Sequence, residues 1–236
     1  MNSSRPTPHT FERMDRELSH LHYLIMAMGD LVNRQIKDAL QAFATQDLTL
    51  ARTVMNRDSE VDNLENRADN EILQLFALNS PLGSDLREII MYAKSVSELE
   101  KLGNEAIVIA RVPLEILGGS EYPLSVEWTE VIQQLGDSAL ARYGAAFRIF
   151  SVMDKNAALD FVKGQRMMDD SFQSALRELL ELIRKEVTVV DLAMSLILVA
   201  KSLERITRHA GNLTQYALFE MQGVDYRQKT SYSHRD

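Results

Sequence analysis

Five prolines, at positions 6, 8, 81, 113 and 123, divide this 236-residue chain into long proline-free intervals, and that spacing constrains its fold more than any other feature. Inside a helix a proline removes a backbone donor and clashes with the preceding turn, so only the intervals between prolines are free to run as long helices. Three breaks result. Pro6 and Pro8 mark a flexible start, Asn79-Ser80-Pro81-Leu82-Gly83 reads as a turn, and residues 113–123, which contain Gly118-Gly119-Ser120, read as a mid-chain linker.

The intervals carry helical stripes. Phe11, Met14, Leu18, Leu21, Ile25, Met28, Val32, Ile36, Ala39 and Phe43 recur three and four residues apart, which places them on one face. They predict a first helix of about 33 residues, about 50 Å long at 1.5 Å per residue. Asp47 closes it in a short polar turn. A second stripe runs from Leu50 to Leu75 through Val61 and Ala68, and a third from Leu86 to Ile109 through Val96 and Gly103. The second half repeats the plan, with a fourth stripe at Val131 to Ile149, a fifth at Ala158 to Ile183 and a sixth at Val189 to Leu213.

Short connections between long helices make neighbours antiparallel. The expected fold is therefore all-α: two tandem antiparallel three-helix bundles, six long helices in all. Residues 1–9 form a flexible N-terminus, 10–120 the first bundle, 121–227 the second and 228–236 a flexible tail. Internal duplication supports the division, because Phe43 to Asp47 aligns with Phe150 to Asp154 at a Phe-x-x-x-Asp, and Leu99-Glu100-Lys101-Leu102 aligns with Leu203-Glu204-Arg205-Ile206.

Charge and composition exclude several functions. The formal net charge is -8 and no run of five basic residues exists, so a nucleic-acid backbone is an unsuitable partner. Without cysteine there are no disulfides, thiolate metal sites or thiol chemistry. The polar start lacks the apolar stretch of a secretion signal, which points to the cytoplasm. The most apolar segment, 187–200, is interrupted by Thr188, Asp191 and Ser195 and falls short of the roughly 20 residues that span a bilayer, so direct membrane insertion is not expected. No phosphate-cradling Gly-Lys loop, Ser-His-Asp arrangement or cofactor motif is present, and an enzyme is not expected.

Several stretches in fixed order resemble the PhoU family of phosphate-signalling regulators. They are Met26-Ala27-Met28-Gly29, Asp58-Ser59-Glu60-Val61-Asp62-Asn63-Leu64-Glu65, Ser84-Asp85-Leu86-Arg87, Glu98-Leu99-Glu100-Lys101-Leu102-Gly103-Asn104, Ser202-Leu203-Glu204-Arg205-Ile206 and Gly223-Val224-Asp225-Tyr226-Arg227. The resemblance implies two tandem three-helix repeats. It also implies a cytoplasmic, non-enzymatic homodimer, peripheral to the inner membrane through its partners. In that role it couples a phosphate ABC transporter, through its ATPase subunit, to a membrane sensor kinase and restrains both phosphate uptake and the starvation response. The alternatives are a divergent helical scaffold without phosphate signalling and a carboxylate-bridged metal-binding protein.

The resemblance further implies metal sites at paired Glu/Asp-x-x-x-Asp motifs. Residues i and i+4 share a helix face, so Asp58 with Asp62, and Glu100 with Asn104, can each turn two oxygens to one ion. Oxygen donors suit magnesium or manganese, with iron and zinc the other candidates. The residues alone read as solvated helix faces, and it is the resemblance that brings in the metal reading. The chain departs from the pattern at Asn104, which lacks a carboxylate, and in the second half, where Gln165 and Arg208 replace acids and leave only Asp169 and Glu204. The guanidinium of Arg208 repels a cation, so this half is expected to hold no metal, with Arg208 paired instead to Asp169 or Glu204. Asp85 and Arg87, at a helix start, are candidates for partner binding or for capping. Glu17 and His20 form a single Glu-x-x-His, where di-iron bundles carry two, and are expected at the surface or its boundary.

Overall fold

The computed structural model describes residues 8–117, 126–164, 172–174, 176–178, 180–181, 183–184 and 190–223, and every secondary-structure element among them is helical. The expected tail at 228–236, most of the flexible N-terminus, the linker from residue 118 onward, Gln165 and Asp169 lie outside the described residues. The first half contains α1 (Pro8–Thr45), α2 (Leu48–Asn56), α3 (Asp58–Asn79) and α4 (Gly83–Leu117). The second contains α5 (Val126–Val152), α6 (Lys155–Lys163) and α7 (Val190–Gln222).

At 38 residues, α1 begins before its apolar stripe, with Pro8 at the first helical position, where a missing N–H has no intrahelical partner to lose. Its predicted stripe is the buried one: Leu21, Ile25, Met28, Val32, Ile36 and Ala39 are all closed to solvent. The predicted second helix is broken at Arg57. There the Arg57 N–H is shared between the carbonyls of Thr53 and Val54, each at 3.2 Å, and the Glu60 N–H returns to Arg57 at 3.0 Å. Arg57 also donates to Asp38 at 2.7 Å, fastening the bend to α1. The predicted fifth helix is likewise interrupted, since α6 ends at Lys163 on Gly164. At Arg57 the one-residue break leaves the apolar stripe in phase, so periodicity does not reveal it. Pro113, expected to open the linker, instead sits buried inside α4, one turn from its end, where it costs a single hydrogen bond.

The duplication is visible in the turns. Asp47 caps α2 with φ −81° and ψ 101°, accepting from the Thr49 and Leu50 amides; Asp154 caps α6 with φ −82° and ψ 103°, accepting from Asn156 and Ala157. Each cap follows a left-handed residue, Gln46 at φ 54° and Met153 at φ 52°. The Phe-x-x-x-Asp repeat thus encodes the same turn twice.

Four long helices form a closed central layer in which α1 packs on α4, α4 on α7, α7 on α5 and α5 on α1. Outside it, α2 and α3 cover the first half and α6 packs on α7. The halves run head to tail: Gly29 meets Tyr143 and Phe147 while Leu40 meets Gly136, so α1 and α5 are antiparallel. Close approach explains both glycines. A Cβ on Gly29 would fall 2.0 Å from the Phe147 ring, and one on Gly136 would fall 2.4 Å from Leu40. The Tyr143 hydroxyl, fully buried, donates to the Gly29 carbonyl at 2.8 Å.

Candidate functional site

The first-half candidates lie on two adjacent helices, Asp58 and Asp62 on α3 and Glu100 and Asn104 on α4. Between them stands Glu65, which the sequence reading did not single out. Burial pushes its carboxyl up, and the charges of Glu100, Asp69 and Asp62 push it further. Burial and then the neighbouring Asp62 raise Asp58 in the same way. The result is an acidic face spread across α3 and α4. Asn104 turns its amide N–H, rather than an oxygen, to Glu100 at 2.5 Å. Among the described residues no group of three or more His, Asp or Glu side chains is disposed to hold one ion. As placed, these side chains do not close into a metal donor set.

In the second half Glu204 is held by Lys201 at 2.6 Å and by Gln173 at 3.3 Å, not by Arg208. Arg208 points to solvent and forms no ion pair among the described residues. The expected pairing of Arg208 with Glu204 is therefore not made, because Lys201, one turn away on the same helix, reaches the carboxylate first. Asp169, the other expected partner, lies outside the described residues.

Asp85 sits in the first turn of α4, where a negative charge complements the helix N-terminus. Arg87, half-buried, extends toward the end of α7 and donates to the Glu220 carbonyl at 3.4 Å. It thus helps satisfy a helix C-terminus in the other half of the molecule. Around the same turn Leu73, Phe76, Leu78 and Leu82 are exposed, Leu82 by 80%. Glu17 and His20 do not converge: Glu17 takes Arg13 and Asn79, while His20 meets Glu71 at 3.0 Å.

Two polar clusters, neither singled out from local spacing, tie the halves together. Glu98, 5% exposed, accepts from His209 Nδ1 at 2.7 Å and Asn212 at 2.8 Å, with Lys101 at 3.2 Å. Burial pushes its carboxyl up, yet the His209 and Asn212 bonds, the His209 charge and the Lys101 bond outweigh burial and hold it at about 2. Arg205 donates to Glu105 at 2.5 Å, a bond that holds the guanidinium above its ordinary value. A signal existed: Glu98 falls between the core positions Val96 and Leu99, and His209 precedes Ala210, so both are polar residues on apolar stripes.

The PhoU domain family model matches residues 25–112 and again 132–217. The phosphate-specific transport system accessory protein PhoU homolog of Pseudomonas putida is 31% identical over 96% of this chain and 88% of its own length. The crystal structure of PhoU from Pseudomonas aeruginosa superposes with a TM-score of 0.81 at 29% identity, covering 89% of this chain and 99% of that one. The phosphate transport system regulatory protein PhoU from Streptococcus pneumoniae shares the fold, with a TM-score of 0.79 at 23% identity, over 90% and 98% of the two chains.

Proposed function

Because this chain belongs to the PhoU family, matched twice along its length, we propose that it is an accessory protein of a phosphate-specific transport system, acting by helix-face contact rather than catalysis. The observation that carries this reading is the match to proteins so named over 96% of the chain, both repeats included. In the finer form of the proposal the protein is cytoplasmic and homodimeric. It sits at the membrane through the transporter's ATPase subunit and a sensor kinase, and it restrains phosphate uptake and the starvation response.

Three features support contact as the mode of action. No helix among the described residues is long and apolar enough to cross a membrane. Apolar side chains stand exposed around the α3–α4 turn, where Asp85 adds charge. Recognition by such a face needs shape and surface chemistry, which the loss of individual metal ligands leaves intact.

The test is complementation. In a host lacking its own PhoU, this chain should return a phosphate-starvation reporter to its repressed state in phosphate-replete medium, and crosslinking should recover the ATPase subunit and the kinase with it. A reporter that stays derepressed, with the protein present and folded, would favour a helical scaffold without phosphate signalling.

A further inference from the structure

A cavity of about 160 Å³ lies where all four central helices meet. Its polar wall is His22 from α1, Glu88 from α4 and Glu220 from α7. Its apolar wall is Met91 and Tyr92 from α4, with Phe150 and Met153 at the end of α5. The rings of Tyr92 and Phe150 pack edge to face, with centroids 6.2 Å apart.

The hydrogen bonds fix which polar atoms remain available. The Tyr92 hydroxyl donates to Glu88 Oε1 at 2.9 Å, so its oxygen must accept from His22 Nδ1, also at 2.9 Å. In a neutral ring, donation from Nδ1 leaves His22 Nε2 as the acceptor. The Glu220 carboxylate, by contrast, accepts no hydrogen bond among the described residues; the Arg87 bond goes to its backbone carbonyl. Burial and then the charge of Glu88 push its carboxyl up, and only Arg87 offsets them. Two carboxylates and an imidazole acceptor thus border an otherwise apolar space, and a positively charged occupant would relieve their mutual repulsion.

We infer that this cavity binds a small organic ammonium ion, its N–H groups turned to Glu220, Glu88 and His22 and its alkyl body set against the thioethers and rings. A bare divalent metal fits poorly: thioethers and aromatic faces complete the wall, and no three His, Asp or Glu side chains among the described residues are disposed around one ion. Aromatic faces favour an alkylammonium, whose charge they stabilise. A cavity near 150 Å³ accommodates benzene, so the size points to about six heavy atoms.

The experiment is isothermal titration calorimetry on the full chain in an amine-free buffer. The probes are 1,4-diaminobutane and n-butylamine, with 1,4-butanediol as the uncharged match and magnesium and manganese as the metal arm. The expected result is saturable binding of at least one amine at millimolar concentration or better, with none of the diol. In Glu220→Gln, and separately in Glu88→Gln, affinity should fall by about tenfold or more, the equivalent of about 1.4 kcal/mol. Glu130→Gln, on the exposed face of α5, should bind as the parent does. Circular dichroism confirms that each variant is folded, and the two carboxylate variants check each other. No amine binding to the folded parent would overturn the inference, as would undiminished affinity in both carboxylate variants. Saturable metal binding that displaces the amine and disappears in the same variants would replace the ammonium with an inorganic cation.

Discussion

Glu98 shows what a single buried charge contributes. Its carboxyl is held at about 2 against an ordinary 4.5. A depressed carboxylate adds stability that is fully present above its unfolded value and is lost as pH falls through the folded one, so this contribution should fade between about pH 4.5 and 2. On linkage grounds it amounts to about 3 kcal/mol, and urea unfolding across that range should show a slope that Glu98→Gln flattens. Glu65 has the opposite sign. Its carboxyl is raised by burial and by Glu100, Asp69 and Asp62, so its charge costs stability at neutral pH and the cost is relieved on acidification. Glu65→Gln should therefore raise the unfolding free energy at neutral pH by about 0.5 kcal/mol, read as a higher urea midpoint, since the face is only partly buried. At this scale the sequence was half legible. The spacing of Asp58 with Asp62 and of Glu100 with Asn104 put those pairs on helix faces; Glu65 shares the α3 face with Asp62 and Asp69, but it meets Glu100 only through the packing of α3 on α4. His209 and Glu98 are 111 residues apart, a separation no local pattern bridges.

At the scale of elements, the caps and the glycines carry the predictions. Asp47→Ala and Asp154→Ala each remove a side-chain acceptor from two amides and should each cost about 1 kcal/mol of unfolding free energy, in parallel because the two caps share one geometry. Gly29→Ala should cost more, about 1–3 kcal/mol, since the Phe147 ring occupies the space the new methyl needs. A smaller ring-site residue tests the cause: Phe147→Leu in the same background should recover part of the loss. Long helices were readable because their stripes are long. The break at Arg57 was not, because the stripe at Val54 and Val61 stays in phase across it and the bend is set by Asp38 on another helix. Pro113 misled for a related reason: proline breaks helices in general, yet one turn from the end of α4 it forfeits only one bond.

For the whole molecule, the central layer of α1, α4, α7 and α5 joins both repeats in one core that includes Leu21, Leu99, Tyr143 and Leu203. Calorimetry should accordingly record a single transition whose van't Hoff and calorimetric enthalpies agree, whereas two separable transitions would mean that the repeats unfold independently. Periodicity announced six buried faces but not which would face which, so the tandem repeats were legible and their head-to-tail seam was not. That seam has a geometric outcome. Two copies of one motif placed antiparallel turn their matching tips, the Asp47 and Asp154 corners, to opposite poles. The molecule then has two kindred ends, one from each repeat. Arg208 on one repeat and the acidic face on the other mark how far they differ, giving the paired ends a distinguishable front and back.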